Sequence, residues 1–179
     1  MRLINVSAAL ATAFALLAAM PIASVASIHR RLVDIASVDD AAFAEIAYSG
    51  NWTHLSNQGA IDYLGTESYS HDANASYTFG RVEKGGIITI YAGKKDDRGQ
   101  FDVFQGDVFL GRGDAHNASC SANCSSAQVF TYDNLPTSDN ITVRNHTPKT
   151  YNDTTPFLDV DWIKIQLTTD CLANGICPL

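Results

Sequence analysis

The chain has 179 residues, with 12 basic and 19 acidic side chains and a formal charge of −7. Hydrophobic residues make up 46% and charged residues 17%, a balance that excludes a disordered chain, a coiled coil and a multi-span membrane protein. The length fits one domain with a short appendage, and the acidic excess argues against a phosphate-binding surface, so no nucleic-acid partner is expected.

The first segment reads as an address. Arg2 gives a positive start, an apolar stretch runs from Val6 to Met20, Pro21 breaks it, and Ser24-Val25-Ala26 offers small residues for cleavage. This layout predicts a secretory signal over 1–26. A membrane anchor is the alternative, but a span needs about 20 apolar residues; the stretch reaches that length only with Asn5, Ser7, Thr12 and Pro21 included. Arg30-Arg31 then reads either as a dibasic processing site or as a solvated charge pair, within a propeptide or linker over 27–37. Cleavage after Arg31 leaves 148 residues with nine basic against nineteen acidic side chains. The expected location is extracellular, with no membrane span in the mature chain.

Seven Asn-x-Ser/Thr sequons follow, at Asn51, Asn74, Asn117, Asn123, Asn140, Asn145 and Asn152. Chance pairing of ten Asn with 24 Ser or Thr in that stretch would give about two. They predict a secreted glycoprotein. The four cysteines agree, since an even count in an oxidising compartment reads as disulfides. Their spacing favours two local bridges, Cys120–Cys124 and Cys171–Cys177; zinc is the alternative, but histidine at ligand spacing is missing.

From Ala47 onward short β-rich runs recur between Gly, Asn, Asp and Pro. Ala75–Phe79, Ile87–Tyr91, Gln100–Gln105, Val108–Leu110, Val129–Tyr132, Ile141–Val143 and Asp159–Leu167 read as strands, with Gly106-Asp107 as a hairpin turn. Before them, Asp39–Glu45 reads as one helical turn or a loose arm. That spacing predicts an all-β, two-sheet antiparallel sandwich.

Val38-Asp39-Asp40 followed by Ile46–Trp52, then Ala75–Phe79, Gly86–Gly93, Gly99–Gly106, Asn134–Arg144 and Leu158–Ile165, resembles in order the strands of a group of fungal extracellular domains. That group is similar to galactose-binding-like jelly rolls, the fold of several carbohydrate-binding modules. The resemblance covers Val38 to Gln166 and implies a jelly roll over 38–166, followed by a disulfide-closed tail over 167–179. Many fungal members carry a membrane-spanning helix after the domain, whereas this chain ends in the cysteine tail. The resemblance implies a glycan or cell-wall polysaccharide as partner. It also implies a structural calcium near the terminal strands, for which Glu45 and Asp161 are the loose candidates; no other cofactor is expected.

Strand alternation places Ile163 and Ile165 inward and Trp162 outward, with Tyr91 and Phe104 opposite their own strands' core residues. Tyr91, Phe104 and Trp162 are therefore candidates for a sugar-stacking platform, unless the Leu32–Glu45 arm covers them. Asp161 shares the inward phase and is expected at the strand entrance, bonded to backbone or a cation. Lys94–Arg98 reads as a solvated turn or as a polar rim for sugar hydroxyls, with Asp96, Asp97 and Arg98 joined by Glu67, Tyr69 and His71. Trp52 and His54 are expected at the core edge. The readings carried forward are a non-catalytic carbohydrate-binding module, a structural or protein-interaction protein, and a glycan hydrolase. The last has the weakest support, because no carboxylate pair is singled out and no G-x-S-x-G or H-E-x-x-H is present.

Overall fold

A computed structural model describes residues 29–59, 62–121, 124–146 and 157–171. Among the described residues twelve strands follow in chain order: β1 (His29–Asp39), β2 (Ile46–Ser49), β3 (Thr53–Ser56), β4 (Thr66–Ser70), β5 (Ser76–Val82), β6 (Ile87–Gly93), β7 (Gln100–Gln105), β8 (Val108–Asp114), β9 (Ser126–Tyr132), β10 (Asp139–His146), β11 (Leu158–Val160) and β12 (Trp162–Cys171). A 3-10 turn, Tyr63–Gly65, precedes β4. All strand pairs in the sheets are antiparallel. The sheets run β1-β12-β6-β9, β2-β5-β10-β7-β8 and β11-β4-β3.

Two-residue alternation builds the core. Along β7 the even phase is half-buried and the odd phase, Phe101, Val103 and Gln105, is buried. The same period buries Tyr77 and Phe79 on β5, Ile88 and Ile90 on β6, Ile141 and Val143 on β10, and Ile163 and Ile165 on β12. These side chains form one apolar cluster. Gln105 is the polar member of the core, and its amide is used fully: Nε2 donates to the carbonyls of Val82 and Thr137 (3.0 and 2.8 Å), and Oε1 accepts from Thr137 N. Gly106-Asp107 makes the β7–β8 turn as the sequence indicates, and Gly106 takes the positive φ of 54° that the tight turn requires.

The sandwich extends past the expected limits of 38 and 166. β1 starts at His29, inside the expected linker, and pairs with β12 from His29↔Cys171 to Asp39↔Trp162. The reason is tertiary: the backbone groups of β12's outer edge need partners, and β1 supplies them. Asp39–Glu45 is a series of tight turns, with Ala42 N donating to Asp39 O and Ile46 N to Ala42 O, rather than a helical segment. The Cys120–Cys124 bridge is present. The signal segment, Asn123, Asn152 and the Cys171–Cys177 pairing lie outside the described residues. Among the described residues no helix is long and apolar enough to cross a membrane.

Candidate functional site

The short β11-β4-β3 sheet shapes the candidate site. Tyr69 is the cross-strand partner of Thr53 on one side and Asp159 on the other, so the three share a face, and Glu67 joins them two residues along. At the Tyr69 end lies an open depression of about 450 Å³, lined by Asn51, Thr53, Tyr69, Ser70, His71 and Asp72. Its floor is pinned by backbone. Ser70 Oγ donates to Asn51 O at 2.5 Å and accepts from Asp72 N, while Asp72 Oδ1 accepts from Asn74 N. The Tyr69 ring meets Phe157 edge to face at 5.2 Å, and His71 packs on the same Phe157. A fixed aromatic ring beside an amide, hydroxyls, an imidazole and a carboxylate is suited to stacking a ring while donating to and accepting from hydroxyl groups.

Behind Tyr69 the guanidinium of Arg98 lies 5.6 Å from its ring and 4.9 Å from that of Phe157. Arg98 is 4% exposed. Its Nε donates to Asp159 Oδ2 (2.5 Å), Nη2 to Glu67 Oε1 (2.5 Å) and Nη1 to Asp97 Oδ1 (2.9 Å); Lys95 Nζ stands 3.4 Å from the same Glu67 oxygen. Burial pushes Asp159 well up, against the pull of Arg98. Burial also raises Glu67, but its hydrogen bond with Asp159 and the charges of Arg98 and Lys95 hold it below the usual carboxylate range. The expectation of Arg98 as a rim donor is therefore corrected: all its nitrogens face protein carboxylates. The charged turn does meet Glu67 and Tyr69, as the rim reading required, but inside the protein. Asp96 and Asp97 remain exposed.

Tyr91 and Trp162 do come together, as cross-strand partners on the outer face of the β1-β12-β6-β9 sheet, with rings 4.0 Å apart and 8° from parallel. Tyr63 stacks on the same indole at 4.9 Å. The cover comes from the turn before β4; the sequence left open an exposed platform or cover by the Leu32–Glu45 arm. Phe104 is not part of this group. It sits on the other sheet, against Phe109 and beneath the Arg144 guanidinium. Alternation fixes which way a side chain points within its strand but not which sheet the strand joins. Because the indole is already stacked, Trp162→Ala is expected to cost about 1–2 kcal/mol of stability. Thermal melts of the variant beside wild type check this.

Asp161, fully buried, accepts from Tyr63 N at 2.8 Å, the backbone bond expected of it, and burial raises its pKa to about 6. Glu45 is exposed, and among the described residues no group of three or more His, Cys, Asp or Glu is arranged to hold a metal ion. Trp52 is half-buried against Tyr48 and Tyr77. His54 is exposed instead of half-buried, its ring against Tyr48 and Phe43. Phe43, 58% exposed, completes an aromatic cluster that sequence reading missed, because a turn residue has no strand phase to betray it.

No protein-family model matches the chain, and no curated protein matches it by sequence. Among solved structures, the exo-β-1,3-galactanase of Phanerochaete chrysosporium with galactose superposes with a TM-score of 0.51 at 18% identity, over 73% of this chain and 29% of that one. The C-terminal CBM6 of a Zobellia galactanivorans laminarinase gives 0.49 at 12% identity, covering 75% of this chain and 98% of that one. A Clostridium stercorarium CBM6 in complex with cellobiose gives 0.47 at 15%, covering 72% and 90%. At such identities the likeness bears on the fold alone, and it agrees with the antiparallel topology: the chain is an all-β jelly-roll sandwich.

Proposed function

We propose that the protein is a secreted, non-catalytic glycoprotein that binds a glycan or cell-wall polysaccharide in the depression beside Tyr69. The observation that carries this reading is Tyr69 itself, braced from behind by Phe157 and Arg98 and set among Asn51, Thr53, Ser70, His71 and Asp72. A braced ring loses little freedom when a sugar stacks on it, so contact is converted into affinity at low entropic cost. The non-catalytic part is supported by the lining: glycosidase chemistry uses two carboxylates flanking the bond, and Asp72 is the one carboxylate among the described lining residues.

The galactanase structure holds galactose and the Clostridium stercorarium module cellobiose, so galactans and cellulosic glycans are the first probes. Tyr69→Ala is expected to weaken binding at least tenfold in affinity electrophoresis and on a glycan array, with the melting profile unchanged in shape. Equal binding by the variant removes Tyr69 from the site. A protein-interaction role is the second reading, favoured by the exposed Phe43 beside His54, Tyr48 and Trp52. Cross-linking on native cell surfaces separates the two.

A further inference from the structure

The depression is lined in part by a sequon. Asn51-Trp52-Thr53 has its acceptor asparagine exposed, its threonine exposed, and both residues on the wall of the cavity beside Tyr69. We propose that an N-linked glycan on Asn51 caps this depression, so that its removal opens the binding site. The proposal rests on the reading of that depression as a carbohydrate site and adds its regulation.

The backbone geometry fixes where such a glycan would begin. Asn51 O is held by Ser70 Oγ at 2.5 Å, which ties the residue to β4. Gly50 before it has φ +94° and sits so close to its neighbours that a Cβ there would lie 3.0 Å from Asp72 Oδ2 and 3.1 Å from Ala75 Cα, so the segment has little room to swing. Trp52 turns away, its Nε1 donating to Ser49 O and its ring packing on Tyr48 and Tyr77. These contacts leave the Asn51 side chain on the cavity wall with its backbone fixed. In glycosylation its Nδ2 loses a proton and bonds to the anomeric carbon of the first sugar, which is released from a lipid-linked pyrophosphate donor as the pyrophosphate leaves. The first sugar would then stand over Tyr69 and His71, the same polar and aromatic lining that a free ligand would use.

The other described sequons differ. Asn74, Asn117 and Asn140 are exposed but do not line the depression. Asn145 is half-buried, and its Nδ2, the atom that glycosylation uses, donates to Asp72 O at 3.1 Å. Occupancy is therefore expected at Asn51 and not at Asn145.

The test uses the full chain expressed through a glycosylating secretory route. Peptide mass spectrometry reads occupancy, and binding to immobilised galactan and cellulosic probes is compared for wild type, Asn51→Gln, Asn140→Gln, and wild type trimmed by endoglycosidase to one residual sugar. Asn51→Gln keeps the backbone bond to Ser70, so folding is preserved, and the trimmed protein needs no substitution at all. The expected result is an occupied Asn51, at least tenfold tighter binding for Asn51→Gln, an intermediate gain on trimming, and no change for Asn140→Gln. An unmodified Asn51, or equal binding with and without its glycan, overturns the cap while leaving the site standing. Binding by no form to any probe overturns both.

Discussion

Arg98→Met is expected to lower the unfolding free energy by about 3–5 kcal/mol at neutral pH, the range seen when one partner of a buried ion pair is removed. The guanidinium satisfies Asp159 and Glu67 in a site with almost no solvent access, with Asp97 closing the network at its exposed end. Methionine fills much of the volume but leaves two buried carboxylates with only Lys95 nearby, 3.4 Å from Glu67. Those carboxylates become neutral by taking up protons, so the defect should shrink as the pH is lowered toward 4.5. Adding Asp159→Asn to the variant should restore part of the loss by replacing a buried acid that must take up a proton with a group that is neutral at every pH. Urea unfolding at pH 7 and pH 4.5 checks each statement, and a single variant within 0.5 kcal/mol of wild type at pH 7 (about the scatter of a neutral surface change) would falsify the network's role. Binding should fall as well, because Arg98 also backs the ring of Tyr69.

Stability should decline as the pH rises from about 4 to 7. The Asp40 carboxylate is buried beneath Thr66 and Ser68, with Ser68 Oγ donating to Oδ2 at 2.5 Å and Thr66 Oγ1 donating to Oδ1. Burial pushes its pKa up to about 7, and Asp161 follows to about 6 for the same reason. In the unfolded chain both ionise near 3.8. Between that value and the folded value the native state binds more protons, so raising the pH favours unfolding; above about pH 7 the effect is complete. The loss attributable to Asp40 is at most about 4 kcal/mol. Below pH 4 the sign reverses, because Asp34, Asp102 and Glu67 are held low by their partners and lose those interactions on protonation. His54, lowered by desolvation beside its aromatic neighbours, opposes the Asp40 trend weakly. Calorimetric melting from pH 3.5 to 8 should peak near pH 4–5, and Asp40→Asn should flatten the fall above it. A wild-type profile that rises steadily to pH 7 would sink this account.

Much of the sandwich was legible because its strands alternate. Ile88 and Ile90, Phe101 and Val103, and Ile141 and Val143 announce their buried faces two residues at a time, and Tyr91 and Trp162 announce an outward one. β1 was not legible. Its backbone ladder with β12 depends on a partner more than a hundred residues away, while Arg30-Arg31 reads locally as a processing signal. Arg98 failed in the opposite direction: five charged residues in a row read as solvated, yet the residues that bury it, Glu67 and Asp159, lie 31 and 61 positions distant. The candidate depression was half legible. Tyr69 and His71 were singled out, but Asn51, Thr53 and Asp72 join them only because β3 pairs with β4 and Ser70 holds the Asn51 carbonyl.

The β1–β12 ladder sets how the domain would respond to force. Its outer ends, His29 and Cys171, lie side by side in an antiparallel pair. Tension applied at those two points loads the hydrogen bonds one pair after another, as in opening a zipper, instead of shearing the whole ladder at once. A domain held from both flanks would therefore yield first by peeling β1 from β12, at low force. The short sheet with Tyr69 lies on other strands and would stay folded while the ladder opens.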